Sequence, residues 1–199
     1  MISDHPNNFL VSFMSKSKIF TLWNDKGVNN EDIPTLRKKS TELSVPLDKE
    51  GREIIKTLIE SFQERDDAVG LSAPQIGINK RVIVFRNKGF DVEPEKRNKN
   101  DFEVLVNPRI NQGRGEMVKM AEGCLSCPEI QVEVSRYPEI KVRGFDDKGE
   151  KVNKRYLDYL ARVIQHEVDH LEGKLIVDYD GTVYYPKNKE KFFEKLFKA

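Results

Sequence analysis

The sequence predicts an α+β fold: mainly antiparallel β-sheets packed around one central helix, with a further helix in the N-terminal half and another at the C-terminus. Three observations predict it. Ile54, Ile55, Leu58, Ile59 and Phe62 recur at helical spacing. Val- and Ile-rich segments between Arg81 and Phe145 alternate with polar and turn residues, as half-buried strands do. A second apolar helical face, formed by Leu157, Leu160, Ala161, Ile164, Val168 and Leu171, carries His166 and His170.

Taken in order, residues 1–30 show no sustained period and read as an irregular arm. Pro34 and Pro46 frame a loop-rich entry. Glu50 to Phe62 is an amphipathic helix. Ala68 to Gly77 is rich in small residues, Pro and Gly, and reads as a tight loop whose backbone approaches a ligand closely. Arg81 to Phe85 and Glu103 to Val106 are strands. The charged residues 87–101 make an exposed excursion between them, and Asn107-Pro108 closes the second strand. Further strands are expected at Glu116 to Met120, around Val132 and Val134, and around Ile140, Val142 and Phe145, with a hairpin turn at Asp147-Lys148-Gly149. The histidine helix runs from about Tyr156 to Leu171 and stops at Gly173. Leu175 to Val177 reads as a short strand. Lys187 to Lys198 is a helix with Phe192, Phe193, Leu196 and Phe197 on its core side.

A chain of 199 residues is expected to form one domain with a core of its own. Its 34 basic and 33 acidic residues leave a net charge of +1, which argues against a dedicated nucleic-acid or membrane binder. No apolar run is long enough to span a bilayer, and the N-terminus lacks a secretory pattern. Cys124 and Cys127 make no disulfide framework and fit a reducing compartment.

The chemistry concentrates in Gln165-His166-Glu167-Val168-Asp169-His170. Residues four apart on a helix leave the same face, so both imidazoles can reach one metal ion. Glu167 lies beside the first ligand and can exchange a proton with a water held there. The helix is therefore read as metal-binding. Two histidines do not complete a catalytic site, which takes three protein ligands and leaves a position open. Cys124 is the candidate third. A thiolate with two imidazoles suits Zn²⁺ or Fe²⁺ and excludes Mg²⁺ and Ca²⁺. Taken alone, Cys124 reads as a small buried residue and Gln75 as a loop-stabilising amide. Two other readings stand beside the open site: a structural Cys₂His₂ module using Cys127, and another metallohydrolase of the H-E-x-x-H class.

Three segments occur in order: Gly70-Leu71-Ser72-Ala73-Pro74-Gln75, Glu122-Gly123-Cys124-Leu125-Ser126 and Gln165-His166-Glu167-Val168-Asp169-His170. They resemble the three signature motifs of the peptide deformylases. The similarity continues in Val106-Asn107-Pro108, Arg136 and Leu160-Ala161-Arg162-Val163-Ile164, and covers about residues 34–180, leaving 1–30 outside. Two positions depart from the pattern: Ala68 stands where the family usually has Gly, and Ser72 where it usually has Ala. The resemblance implies a hydrolase that removes the N-formyl group from the initiator methionine of nascent polypeptides and releases formate. It implies Cys124, His166 and His170 as metal ligands, typically for Fe²⁺, with Zn²⁺, Ni²⁺ or Co²⁺ as possible occupants of purified protein. Glu167 would move the proton. Gln75 and the backbone N–H of Leu125 would hold the oxyanion. The peptide would lie along Val69, Gly70 and Leu71, with Val69, Tyr159 and Val163 in the methionine pocket. Glu122 and Arg136 form either an ion pair behind the cysteine turn or a plain surface pair. The expected partners are formylmethionyl nascent peptides, met at the ribosome. A monomer in a bacterial-type cytoplasm is expected, with an organelle as the alternative compartment.

Overall fold

The computed structural model describes residues 18–198. β1 (Trp23–Asn24) and β2 (Gly27–Val28) form a small hairpin. After a one-turn helix α1 (Ile33–Leu36) comes the amphipathic α2 (Lys49–Gln63). Asp48 caps α2 by accepting the Gly51 N–H at 2.7 Å. β3 (Gly70–Ser72) runs into a 3₁₀ turn at Ala73–Ile76. Six strands follow: β4 (Val82–Arg86), β5 (Phe102–Arg114), β6 (Val118–Cys124), β7 (Cys127–Arg136), β8 (Glu139–Phe145) and β9 (Lys151–Leu157). The chain ends with α3 (Asp158–Leu171), β10 (Val183–Tyr184) and α4 (Glu190–Lys198).

The larger sheet is antiparallel with strand order β3-β4-β5-β8-β9, and the smaller has order β10-β7-β6. Helices and antiparallel sheets together match the expected class. β4 shows why its sequence is apolar without interruption. Successive side chains of a strand point to opposite faces. Val82 and Val84 enter a core shared with Ile55, Leu58 and Phe62 of α2. Ile83 and Phe85 enter a second core shared with Ile164, Val168 and Leu171 of α3. The sheet is thus covered by a helix on each face. A third core lies under the smaller sheet, where Val132 and Val134 meet Trp23, Leu36, Ile176 and Phe193.

Several expectations need correction. The arm expected over 1–30 lies outside the described residues up to 17, but from Lys18 onward it is built into the fold. Leu22 and Trp23 are buried, and Trp23 meets Phe193 edge-on at 6.0 Å. Isolated anchors of this kind leave no period to read. The stretch Ala68 to Gly77 is not all loop, since Gly70–Ser72 pairs with β4. β5 does not close at Asn107-Pro108. It passes through a bulge there, with Asn107 at φ 51 and its side chain bonded to both the N–H and the C=O of Leu43 at 2.9 Å. Tyr156 and Leu157 belong to β9 rather than to the helix, because the chain turns at Asp158, with φ 52. Leu157 is therefore exposed and lies off the apolar helical face. Leu175 to Val177 is no strand. Ile176–Asp178 forms a 3₁₀ turn, where the Asp178 carboxylate accepts the Leu175 N–H at 2.8 Å. The last helix starts at Glu190, after a 3₁₀ turn at Lys187–Lys189. Gly173 does end α3: its φ is +75, and a Cβ there would lie 2.3 Å from the Arg37 carbonyl oxygen.

Candidate active site

α3 turns its apolar side to the larger sheet and its polar side to β6 and β7. His166 and His170 leave that polar side one turn apart, with ring centroids 5.1 Å apart. Cys124 comes from the end of β6, where Leu125 and Ser126 make the turn into β7. Its Sγ lies 3.3 Å from His170 Nε2. The potential ligand atoms of Cys124, His166 and His170 all lie within 4.8 Å of one another. Cys127 is not part of this cluster. It is fully buried in the third core, which removes the geometric support for a Cys₂His₂ module.

Behind His166 stands Glu122. Its carboxylate lies 3.1 Å from His166 Nδ1, which leaves Nε2 to face the cysteine. Glu122 also accepts from Arg136 at 3.0 and 2.9 Å and from Arg162 at 2.6 Å. All three side chains are almost fully buried, so Glu122 and Arg136 form an interior pair and not a surface one. Burial raises the Glu122 carboxyl, but hydrogen bonds from His166 and Arg136 outweigh it and hold it down at about 2. Arg136 continues to Asp169 and to the Tyr179 hydroxyl, which itself bonds Asp169 at 2.6 Å.

The 3₁₀ turn after β3 brings in Gln75. Its Oε1 accepts from the Ser72 N–H at 2.9 Å and the Ser72 hydroxyl at 2.8 Å. Its Nε2 is thereby aimed at the cysteine turn, 3.3 Å from Ser126 Oγ and 3.9 Å from Cys124 Sγ. The segment outside the resemblance braces both turns. Phe20 N–H donates to the Gln75 carbonyl at 2.8 Å, and Leu22 N–H to the Ser126 carbonyl at 2.9 Å.

The charges suit a cation. Burial opposes ionisation of Cys124, yet hydrogen bonds from the Cys127 thiol and the two imidazoles, with the charge of His170, bring its pKa well down. Cys127, bonded to that sulfur and buried, keeps its proton. Burial also disfavours a charge on His166, but Cys124 and Glu122 raise its proton affinity. The space between these groups thus favours positive charge. Burial raises the Glu167 carboxyl toward the range of a working base, against the lowering effect of His166 and His170. Glu167 Oε2 and His170 Nδ1 are buried with no hydrogen-bond partner among the described residues.

A family model of the polypeptide deformylases matches residues 26–183. The chain belongs to the polypeptide deformylase family. A peptide deformylase from Rickettsia prowazekii is 42% identical over 129 residues, which are 64% of this chain and 72% of that protein. One from Pseudothermotoga lettingae is 39% identical over 145 residues, 73% and 77% of the two chains. The crystal structure of a class I type b peptide deformylase from Acinetobacter baumannii, bound to Met-Ala-Ser, superposes with a TM-score of 0.68. It is 30% identical and covers 83% of this chain and 100% of that one. A deformylase is a hydrolase of protein biosynthesis that removes the formyl group from N-terminal methionine, and that is the reaction of this chain.

A cleft of about 820 Å³ is lined by Val69, Gly70, Gln75, Cys124, Leu125, Tyr159, Val163, His166 and Glu167. The Leu71 side chain points away from the cleft, into the α2 core. Gly70 has a use that its sequence did not disclose. A Cβ there would lie 2.4 Å from Glu167 Oε1, so the glycine makes room for the carboxylate. The sequence reading also missed Arg162, Asp169, Tyr179, Ser72 and Ser126 as parts of the site. Arg162 and Asp169 were visible as charges on the histidine face of a helix otherwise packed in core. Ile130, Tyr184, Tyr185 and Pro186 line the far side of the cleft, and no local pattern announced them. Among the described residues, no helix is long and apolar enough to cross a membrane.

Proposed function

We propose that Cys124, His166 and His170 hold a divalent metal at the junction of α3 and the β6–β7 turn, making α3 the central metal-binding helix. The formyl group of a formylmethionyl peptide is hydrolysed beside it. The observation that carries this reading is the meeting of one cysteine sulfur and two imidazoles within 4.8 Å, next to a buried carboxylate whose Oε2 has no partner among the described residues. Sulfur and imidazole donors suit Fe²⁺, with Zn²⁺, Ni²⁺ and Co²⁺ as alternatives, and disfavour Mg²⁺ and Ca²⁺. When bound, the metal supplies Lewis-acid chemistry, lowering the pKa of water toward neutrality and polarising the formyl oxygen.

The remaining work falls to this chain's own groups. Glu167 takes the proton of the attacking water and returns it to the departing amine, a role its raised pKa supports. Gln75 Nε2 and the Leu125 backbone N–H donate to the oxyanion. β3 is an edge strand of the larger sheet. Val69 C=O accepts from Arg86 N–H on β4, and Ser72 N–H turns outward to Gln75. The alternation of antiparallel pairing then directs the N–H and C=O of Gly70 to the open edge, where an extended peptide can add as a strand. Val69 and Leu71 flank that contact, and the pairing of Leu71 with Val84 on β4 holds the strand that presents Gly70. Val163 and Tyr159 form the apolar wall for the methionine side chain.

The substrate is a nascent chain, met at or after the ribosome, and the protein acts as a monomer. Two free thiols, one of them a ligand, support a reducing, cytoplasmic setting. The test is formate release from a formyl-Met peptide by anaerobically purified protein, with bound metal measured on the same sample. One metal per chain and formate at the rate of peptide loss are expected. A metal-replete protein that releases no formate overturns the reading.

A further inference from the structure

Ser72 departs from the usual residue of its motif, and the structure shows what its hydroxyl touches. It is completely buried beside the cleft and donates to Gln75 Oε1 at 2.8 Å, with the Glu167 carboxylate within its reach as a second acceptor. The Ser72 backbone N–H donates to the same oxygen at 2.9 Å. A carboxamide is nearly isosteric with its flipped form, so its orientation is set by what it bonds. An N–H can only donate. It therefore demands the oxygen of Gln75 on the β3 side and sends the NH₂ toward the Leu125-Ser126 turn. There Nε2 reaches Ser126 Oγ at 3.3 Å.

With alanine at position 72, Oε1 would keep only the bond from the backbone N–H, and the carboxamide would be held by that bond and the longer one from Nε2 to Ser126 Oγ. The hydroxyl adds a second bond from a different direction and fixes the plane of the amide. Donation to Oε1 also draws electron density from the amide nitrogen and strengthens its N–H groups as donors. The Gln75 backbone is held independently, through the bond from Phe20 to its carbonyl. What remains free to move is the side-chain amide, the part that Ser72 grips.

We propose that Ser72 is a positioning residue: its hydroxyl fixes the Gln75 carboxamide so that Nε2 stands ready for the oxyanion. The inference rests on the deformylase reading, in which Gln75 is an oxyanion donor. It adds that this chain holds the donor with a side chain, where alanine would leave Oε1 to the backbone N–H alone.

The test is a double-mutant cycle on the metal-loaded enzyme, with kcat and KM for a formyl-Met peptide, metal content and Tm measured for each form. Ser72→Ala is expected to lower kcat roughly three- to tenfold, the effect of one neutral hydrogen bond, with KM and metal content unchanged. Gln75→Ala is expected to lower kcat by roughly 10²- to 10³-fold. In the Gln75→Ala background, Ser72→Ala should cost nothing further. Ser72→Thr, which keeps the hydroxyl, should recover most of the loss. A second readout is independent of turnover. The side-chain NH₂ resonances of Gln75, identified by their absence in Gln75→Ala, should shift and broaden in Ser72→Ala. If Ser72→Ala lowers kcat equally in both backgrounds, or lowers Tm and leaves the Gln75 resonances in place, the hydroxyl is structural and the proposal fails. If the parent enzyme releases no formate at all, it is the deformylase reading that has failed, and the resonance experiment still reports whether Ser72 orders Gln75.

Discussion

Gly70→Ala is the substitution whose consequence can be worked most directly from the structure. Gly70 has no positive φ, so alanine can adopt its backbone conformation without strain. The difficulty is space. The new Cβ would stand 2.4 Å from Glu167 Oε1 and 2.9 Å from its Cδ and Cγ, whereas ordinary contact begins at 3.4 Å, so the carboxylate must retreat by about 1.0 Å. Glu167 is itself buried on α3 and has little room for retreat. A displacement of that size at a catalytic group typically costs about 10²-fold in rate. Steady-state formate release should show kcat reduced by about that factor with the metal retained, because no ligand is touched. Stability should change little, since removing a glycine restricts the unfolded chain by about 0.4–1 kcal/mol and offsets part of the crowding. A KM that rises with kcat unchanged would place the effect on peptide docking. A Gly70→Ala enzyme within about threefold of the parent in kcat would refute the argument that this glycine sets the position of the base.

Glu167→Ala should lower kcat by about 10²-fold or more and leave one metal per chain; loss of the metal would make Glu167 a ligand. Cys124→Ser should remove activity and weaken metal binding, whereas Cys127→Ser should keep both, because Cys127 lies outside the ligand cluster and a hydroxyl can still donate toward the Cys124 sulfur. Equal metal loss in the two variants would restore the Cys₂His₂ alternative. Glu122→Ala leaves the buried Arg136 and Arg162 without their shared carboxylate, and chemical denaturation should show a loss of about 3–5 kcal/mol. A loss below about 1 kcal/mol would mean that the cluster is hydrated and of little structural weight.

The site was more legible in the sequence than the fold around it. His166, Glu167 and His170 are local, and helical spacing alone puts the two imidazoles on one face. Cys124 was a candidate from its donor type but read equally as a small buried residue, Gln75 carries no local signal, and the ordered set of three motifs is what gave both their weight. Glu122, Arg136 and Arg162 come together across three elements, so their shared burial follows from tertiary packing. For the same reason, the Glu122 pair could be read equally well as a surface pair. Strand boundaries failed where a backbone special intervened. Asn107-Pro108 looks like a stop but is a bulge: the Asn107 backbone N–H still bonds the Arg81 carbonyl at 2.7 Å, its side chain bonds Leu43, and pairing with β8 resumes at Arg109. Leu157 fits a helical period and yet ends a strand, because Asp158 turns the chain and its N–H bonds the Pro138 carbonyl at 2.7 Å. The N-terminal segment has no period at all. Phe20 and Leu22 nevertheless hold the two turns that face the cluster of Cys124, His166 and His170.

The central claim is an open site with three protein ligands, only one of them sulfur. X-ray absorption at the metal edge of the zinc-loaded protein counts those ligands. The account predicts one sulfur at about 2.3 Å and light atoms at about 2.0–2.1 Å, including two imidazole nitrogens and one further oxygen. Two sulfurs and two imidazoles with no oxygen would contradict it, and the hydrolytic mechanism assigned to Glu167, Gln75 and Leu125 would fall with the site.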